Sequence, residues 1–343
     1  MKAGIFVSTI KDVAKRAGVS PTTVSIILNG KAEDRKISQA TLEKVMNAVR
    51  DLDYQPNLSA RRLRSNEIKK PSLAFFWPSD HRTNIMATFI NYIQEELIAH
   101  QYDCELVIQT YQNDHLDEKA SIFAKNSYNA MIIGASLLHD VEFLENTPSQ
   151  SPVILINRTS ALHSTISVDD KAVGREAARL LYDKGYREAA LLAGKTPYVA
   201  TGVRTKAFLT SCKELGIEIA SEALIYCDNS IEGGVKGAAK YLRLGKRPPV
   251  IYSEADELAR GALYELHRSG VAVPEDTEIL TTSLMSPETT LYTIPSLSVI
   301  EISQQEVSRE IVAMLMKLLS GEEAGPLHKI LQPKVVLRES FSL

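Results

Sequence analysis

TIKDVAKRAGVSPTTVSIILN, residues 9–29, carries the punctuation of two short helices joined by a tight turn. Thr9-Ile10-Lys11-Asp12 is a capping-box-like start. Ile10, Val13, Ala14 and Ala17 then fall on one stripe. Gly18 stops the helix, since glycine accepts the left-handed conformation of a C-terminal cap. Val19 fills the turn. Ser20 caps the second helix, and Pro21 takes its first position, where the missing N–H costs nothing. Val24, Ile27 and Leu28 face inward, and Asn29-Gly30 ends the helix. A third helix starts near Ser38 and presents Leu42, Val45, Val49 and Leu52. Three short helices with one shared apolar face and a short first turn predict a helix-turn-helix module. The competing reading is a helical subdomain of an enzyme.

Charge favours the first reading. Residues 1–70 hold eight Lys and six Arg against four Asp and three Glu, a surplus of seven. The chain as a whole is at −3, so the remaining residues are strongly acidic. A basic head on an acidic body is the electrostatic footprint of a nucleic-acid-binding domain joined to something else. The second helix is expected to enter the major groove with its N-terminal end foremost. Pro21, Thr22, Thr23 and Ile26 lie off the buried stripe and face outward. Threonine hydroxyls reach base edges or phosphates, and their methyls suit the thymine methyl. Ile26 reads equally as a packing residue. Lys11, Arg16, Ser25 and Asn29 are expected to hold phosphates, which position the head without specifying sequence. Thr9 and Ser20, at the two helix starts, complete the set.

The string from Asp12 to Ser20, followed by Thr23-Val24-Ser25 and by YQPNLSARRLR at residues 54–64, resembles the head of the lactose/galactose repressor (LacI/GalR) family of bacterial regulators. That resemblance places base contacts at Thr22, Thr23 and Ile26. Relatives often carry Arg or His at the third position, and isoleucine cannot donate to guanine. Residues 9–54 are then the head, 55–70 the hinge and 71–339 an effector-binding body. Leu58 to Arg64 is too short a helix to stand alone in water. By the resemblance it forms against DNA and a second copy, in the minor groove. Leu63 is its wedge, Ala60 permits close approach, and Asn57 caps it. Arg61, Arg62 and Arg64 supply phosphate or groove contacts. The competing reading is a flexible basic linker.

From Ser72 onward, short apolar runs alternate with helical stretches. Strands are expected at residues 72–77, 104–109, 130–134, 152–157, 189–193, 223–226, 250–252 and 278–282, with helices between most of them. Such alternation predicts parallel sheets with right-handed crossovers. The run is too long for one open sheet, so two α/β lobes with a cleft fit best. The resemblance implies the fold of periplasmic sugar-binding proteins. It puts 71–168 and 297–321 in the first lobe, and 169–296 and 330–339 in the second.

Ligands of open α/β sheets bind beyond the carboxyl ends of the strands. That rule selects Trp77, Ser79 and Asp80 after the first strand, Ser136 after the third, and Asn157 and Arg158 after the fourth. It also selects Tyr198, Thr201 and Arg204, then Asn229, Glu254 and Asp256. Arg204 and Asp256 match the family's effector-binding pair, and each also reads as half of an ion pair. Trp77 reads equally as core, and Arg158 as structural. Two departures from the family stand out. Ala255-Asp256 replaces Asn-Asp, and Thr281-Thr282-Ser283-Leu284 replaces Gly-x-Asp-Asp. Both remove polar groups from the expected pocket, which argues against an ordinary free sugar.

The 343 residues are 44% hydrophobic and 24% charged, the balance of a globular protein of two to three domains. Cys104, Cys212 and Cys227 lie far apart and make neither a disulfide framework nor a metal spacing. No run of about 18 apolar residues appears, and Met1 to Ser8 is too short for a signal peptide. A cytoplasmic location is expected. GxSxG, GxxxxGK[ST] and HExxH are absent, so neither catalysis nor a cofactor is expected. The expected function is a DNA-binding regulator, a repressor in particular, acting as a homodimer on a pseudo-palindromic operator under a small-molecule effector of sugar or sugar-derivative class. A sugar-binding transport protein and a regulator answering to a protein partner are the alternatives.

Overall fold

The computed structural model describes residues 10–28, 32, 35, 37–52, 70–79, 83–124, 127–195, 199–284 and 287–343. In the head, α1 (Ile10–Ala17), α2 (Pro21–Leu28) and α3 (Gln39–Asp51) close on a small core of Val13, Ala14, Val24, Ile27, Val45 and Ala48. Gly18 has φ +67°, the left-handed stop its position requires. The Ser20 hydroxyl accepts from the Thr23 amide at 3.0 Å, and Ser38 accepts from the Thr41 amide at 3.3 Å. Both are side-chain N-caps.

The body opens with β1 (Ser72–Pro78), α4 (Thr83–Ala99), β2 (Glu105–Tyr111), α5 (Ala120–Ala124), β3 (Ala130–Ile133), α6 (Leu138–Glu145), β4 (Val153–Ile156) and β5 (Ser164–Val168). The second half runs α7 (Asp170–Asp183), β6 (Ala190–Gly194), α8 (Val199–Glu214), β7 (Leu224–Cys227), α9 (Ile231–Tyr241), β8 (Val250–Ser253) and α10 (Asp256–Arg268). It continues through β9 (Glu278–Ser283), α11 (Glu288–Leu291), β10 (Ser298–Glu301), α12 (Gln304–Ser320), β11 (His328–Leu331) and β12 (Lys334–Val336).

Two sheets result, in the orders β11-β5-β4-β3-β1-β2 and β12-β10-β9-β8-β6-β7. The first is parallel throughout, and in the second only β12 runs antiparallel. Strands buried on both faces read as continuous apolar runs, and β3 (AMII) and β4 (VILI) are buried at every position. In β1 the side chains alternate. Leu73, Phe75 and Trp77 meet α4 and α12 on one face, while Ala74 and Phe76 meet Phe123 and Leu144 on the other.

The chain passes between lobes three times, at residues 168–170, 301–304 and 331–334. Two boundaries drawn from the sequence therefore move. The crossing expected near Leu297 falls after Glu301, because β10 pairs in parallel with β9 of the second sheet. The stretch from 330 is not wholly in the second lobe, because β11 pairs with β5 of the first.

Candidate effector cleft and head surface

On the head, Pro21 and Thr22 are exposed at the start of α2, while Ser25 and Ile26 are half-buried. Thr23 is committed locally, its hydroxyl 2.8 Å from that of Ser20. Arg16, expected on phosphate, pairs with Asp51 at 3.0 Å on the surface and ties α1 to α3. Thr9, Asn29, Asn57, Ala60, Arg61, Arg62, Leu63, Arg64, Asp80, Tyr198 and the side chain of Lys11 lie outside the described residues.

A cleft of about 200 Å³ lies where the carboxyl ends of both sheets meet. Its first-lobe wall is built by Trp77 of β1, by Asn84, Ile85 and Phe89 of α4, by Ile156, Asn157 and Arg158 at the end of β4, and by Gln304 and Val307 of α12. The second-lobe wall is Thr201 and Arg204 of α8 with Asn229, Glu254, Ala255, Glu257 and Leu284. Seven residues chosen by the strand-end rule therefore share one cavity: Trp77, Asn157, Arg158, Thr201, Arg204, Asn229 and Glu254.

Asp170, the first residue of α7, ties the lobes together beside the first crossing. Arg204 Nε donates to its Oδ1 at 2.7 Å, and Asn157 Nδ2 donates to its Oδ2 at 3.3 Å. Asn157 accepts in turn from the Val168 amide at 3.2 Å. It holds φ +56° to do so, a left-handed conformation that asparagine tolerates better than most residues. The Arg204–Asp170 pair is almost dry, its side chains 4% and 14% exposed. Arg204 is thus the ion-pair residue that was one of its two readings. Arg158 is held by backbone. Its Nε donates to the Ser136 carbonyl at 2.7 Å, Nη1 to the Asn157 carbonyl at 2.6 Å, and Nη2 again to Ser136.

The remaining carboxylates are unusual. Glu254 accepts from the Gly194 amide at 2.7 Å. Burial pushes its pKa up to about 7, against the opposing pull of that amide and of Arg204. Asp256 is raised as well, by burial first and then by the neighbouring Glu257 carboxylate.

Three expected positions are not on the cleft wall. Asp256 is buried and turned to Ser283, whose hydroxyl donates to it at 3.0 Å, and Ala255 occupies the wall in its place. Ser283, within the second of the two family departures, thus supplies a hydroxyl that the aspartate accepts from. Ser79 is exposed beyond β1, and Ser136 is buried behind the wall. Sequence reasoning missed Asp170 and Gln304. Both follow short strands, β5 and β10, that the sequence reading did not place, so the strand-end rule was never applied to them.

Among the described residues, no three His, Cys, Asp or Glu side chains gather as a metal site requires, and no helix is long and apolar enough to cross a membrane.

A helix-turn-helix head followed by a two-lobed α/β body with a ligand-sized cleft defines a class, the effector-controlled transcription regulators. Comparison with known proteins is consistent throughout. Residues 9–57 match the model of bacterial regulatory proteins of the lacI family, and residues 178–341 match the periplasmic binding protein-like domain. Over 340 residues the chain is 25% identical to the HTH-type transcriptional repressor CytR of Escherichia coli (strain K12), covering 97% of this chain and 96% of that protein. A LacI family transcription regulator from Clostridium acetobutylicum superposes with TM-score 0.75 at 29% identity, covering 78% of this chain and 100% of that one. The lac repressor dimer bound to operator and an anti-inducer shares the fold at TM-score 0.68 and 22% identity, over 98% of this chain and 99% of that one. These matches together support the LacI/GalR family of bacterial transcription regulators for this chain.

Proposed function

We propose that this regulator represses transcription as a cytoplasmic homodimer on a pseudo-palindromic operator. A small molecule of sugar or sugar-derivative class, held in the cleft, sets its DNA affinity, and no catalytic step is involved. The observation that carries this reading is the position of the cleft. It lies at the carboxyl ends of both sheets, against the chain crossings, with Asp170 gripping Asn157 of one lobe and Arg204 of the other. A ligand there contacts both lobes, so it binds differently to open and closed arrangements. Such a difference is what effector control requires. Thr22, Thr23, Ile26 and the hinge residues Asn57, Ala60, Arg61, Leu63 and Arg64 are the proposed DNA contacts.

The test is selection of binding sites from random duplexes with the full chain, followed by gel shift. Recovery of a two-fold symmetric motif, and a change in its affinity on adding a ligand that raises the melting temperature, are expected. Recovery of no motif, or a cleft ligand that leaves DNA affinity unchanged, would sink the proposal.

A further inference from the structure

Several polar groups of the cleft are already engaged by the protein: Arg204 gives its Nε to Asp170, Arg158 is held by backbone carbonyls, and one oxygen of Glu254 accepts from the Gly194 amide. Two buried polar side chains on the first-lobe wall are not. Gln304 is only 4% exposed and lines the cleft, and both its amide oxygen and its amide nitrogen are buried without a hydrogen-bond partner. Trp77 also lines the cleft, and its Nε1 is likewise unpartnered. One helical turn beyond Gln304, the Ser308 hydroxyl on the same face of α12 is unpartnered too.

Buried polar groups are nearly always paired, so an orphaned amide at a ligand cavity is a request for a ligand group. Gln304 offers one donor and one acceptor side by side. The first-lobe wall of the cleft that it shares also carries Trp77, Phe89, Ile85 and Val307, which suit a flat apolar body and not a ring of hydroxyls. Gln304 is also the first residue of α12, directly after the second lobe crossing, so whatever pairs with it acts at a hinge.

Resting on the reading of this cleft as the effector site, we infer that the effector is not a free sugar. It carries a flat ring with an amide edge, an N–H beside a C=O, and Gln304 is the residue that selects that edge. The polar remainder of the ligand lies toward Thr201, Asn229 and Glu254.

The test uses the full chain and the emission of Trp77, its sole tryptophan. The probes are 2-pyridone, a flat ring with an amide edge, and phenol, a similar ring without one, beside glucose and ribose. The wild type is expected to bind 2-pyridone at least tenfold more tightly than phenol. Gln304→Leu is expected to abolish that preference while keeping phenol binding and the melting temperature. Gln304→Met, unbranched and apolar, is expected to do the same, and it stands in should the leucine variant misfold. Equal binding of the two rings, or a preference that survives in both variants, overturns the inference. A response to either sugar with none to 2-pyridone overturns it while leaving the cleft as the effector site. No response to any of the four probes removes both.

Discussion

Asp170 is the residue on which the two lobes turn, because one carboxylate serves Arg204 at 2.7 Å and Asn157 at 3.3 Å. Removing one partner of a buried pair strands the other charge, at a cost of about 3–5 kcal/mol. Arg204→Ala is therefore expected to lower the unfolding free energy of the body by roughly that amount, read by urea denaturation. A change below about 1 kcal/mol would mean that water already solvates the pair. Glu254 carries a second residue-scale prediction. Its pKa is raised to about 7 by burial, so the folded state binds its proton more tightly than the unfolded chain does. Its contribution is then favourable at low pH and is lost as pH rises from the ordinary carboxylate range toward 7. The loss is on the order of 2–3 kcal/mol. Glu254→Gln keeps an oxygen to accept from Gly194 and has no such titration. From pH 5 to pH 8 the variant should gain stability relative to the wild type, measured as the difference between their melting temperatures. Parallel pH profiles would refute the assignment.

Elements place these residues, and one glycine shows how. A Cβ added to Gly174 of α7 would sit 2.3 Å from the Arg204 carbonyl and 2.6 Å from the Phe208 amide. The absence of a side chain at that position lets α8 lie directly on α7, and that approach brings Arg204 to Asp170. Gly174→Ala forces backbone to move, so it is expected to cost about 1–3 kcal/mol by overpacking. It should also loosen the Arg204–Asp170 pair, so that Arg204→Ala becomes less damaging in the alanine background. Strict additivity of the two substitutions in a double-mutant cycle would show that the helix contact does not position the arginine. The same scale shows what the sequence made legible. The head was readable because Gly18, Ser20, Pro21 and Ser38 fix helix ends by local chemistry. Buried strands such as VILI and AMII were readable as apolar runs. β5, with the sequence STISV, was not, since serine and threonine break the run and its partner β11 lies more than 150 residues away. Asp170 was lost with it. Asp256 was placed in the cleft by the strand-end rule, but its side chain turns to Ser283, a choice made by a hydrogen bond between the start of α10 and the end of β9.

At the scale of the whole molecule, a basic head and an acidic body are joined through residues 53–69, and DNA affinity is expected to be dominated by phosphate contacts. The logarithm of affinity should fall with the logarithm of salt at a slope of about −0.9 per phosphate neutralised. A flat response from low to physiological salt would remove the DNA-binding reading. The joint makes the sharper prediction. Leu58 to Arg64 is too short a stretch to be a stable helix by itself; we propose that DNA and a second copy order it, and that the body controls DNA affinity by setting how far apart two such segments are held. Leu63 is the proposed wedge. A leucine pressed between base pairs from the minor groove unstacks them and bends the duplex, a cost of a few kcal/mol offset by wider contact. Leu63 precedes the first strand of the body in sequence, so in Leu63→Ala the melting temperature of the body should be unchanged. Without the wedge the duplex should bend less in circular-permutation gel shifts, and affinity should drop by about tenfold to a hundredfold, which at about 1.4 kcal/mol per decade is the scale of one lost unstacking contact. A cleft ligand should then have a smaller effect on DNA affinity in the variant, because the element through which the lobes act has lost its grip. If Leu63→Ala bends DNA as the wild type does and responds to ligand as fully, residues 57–64 are a tether, and control must pass from body to head by direct contact between them.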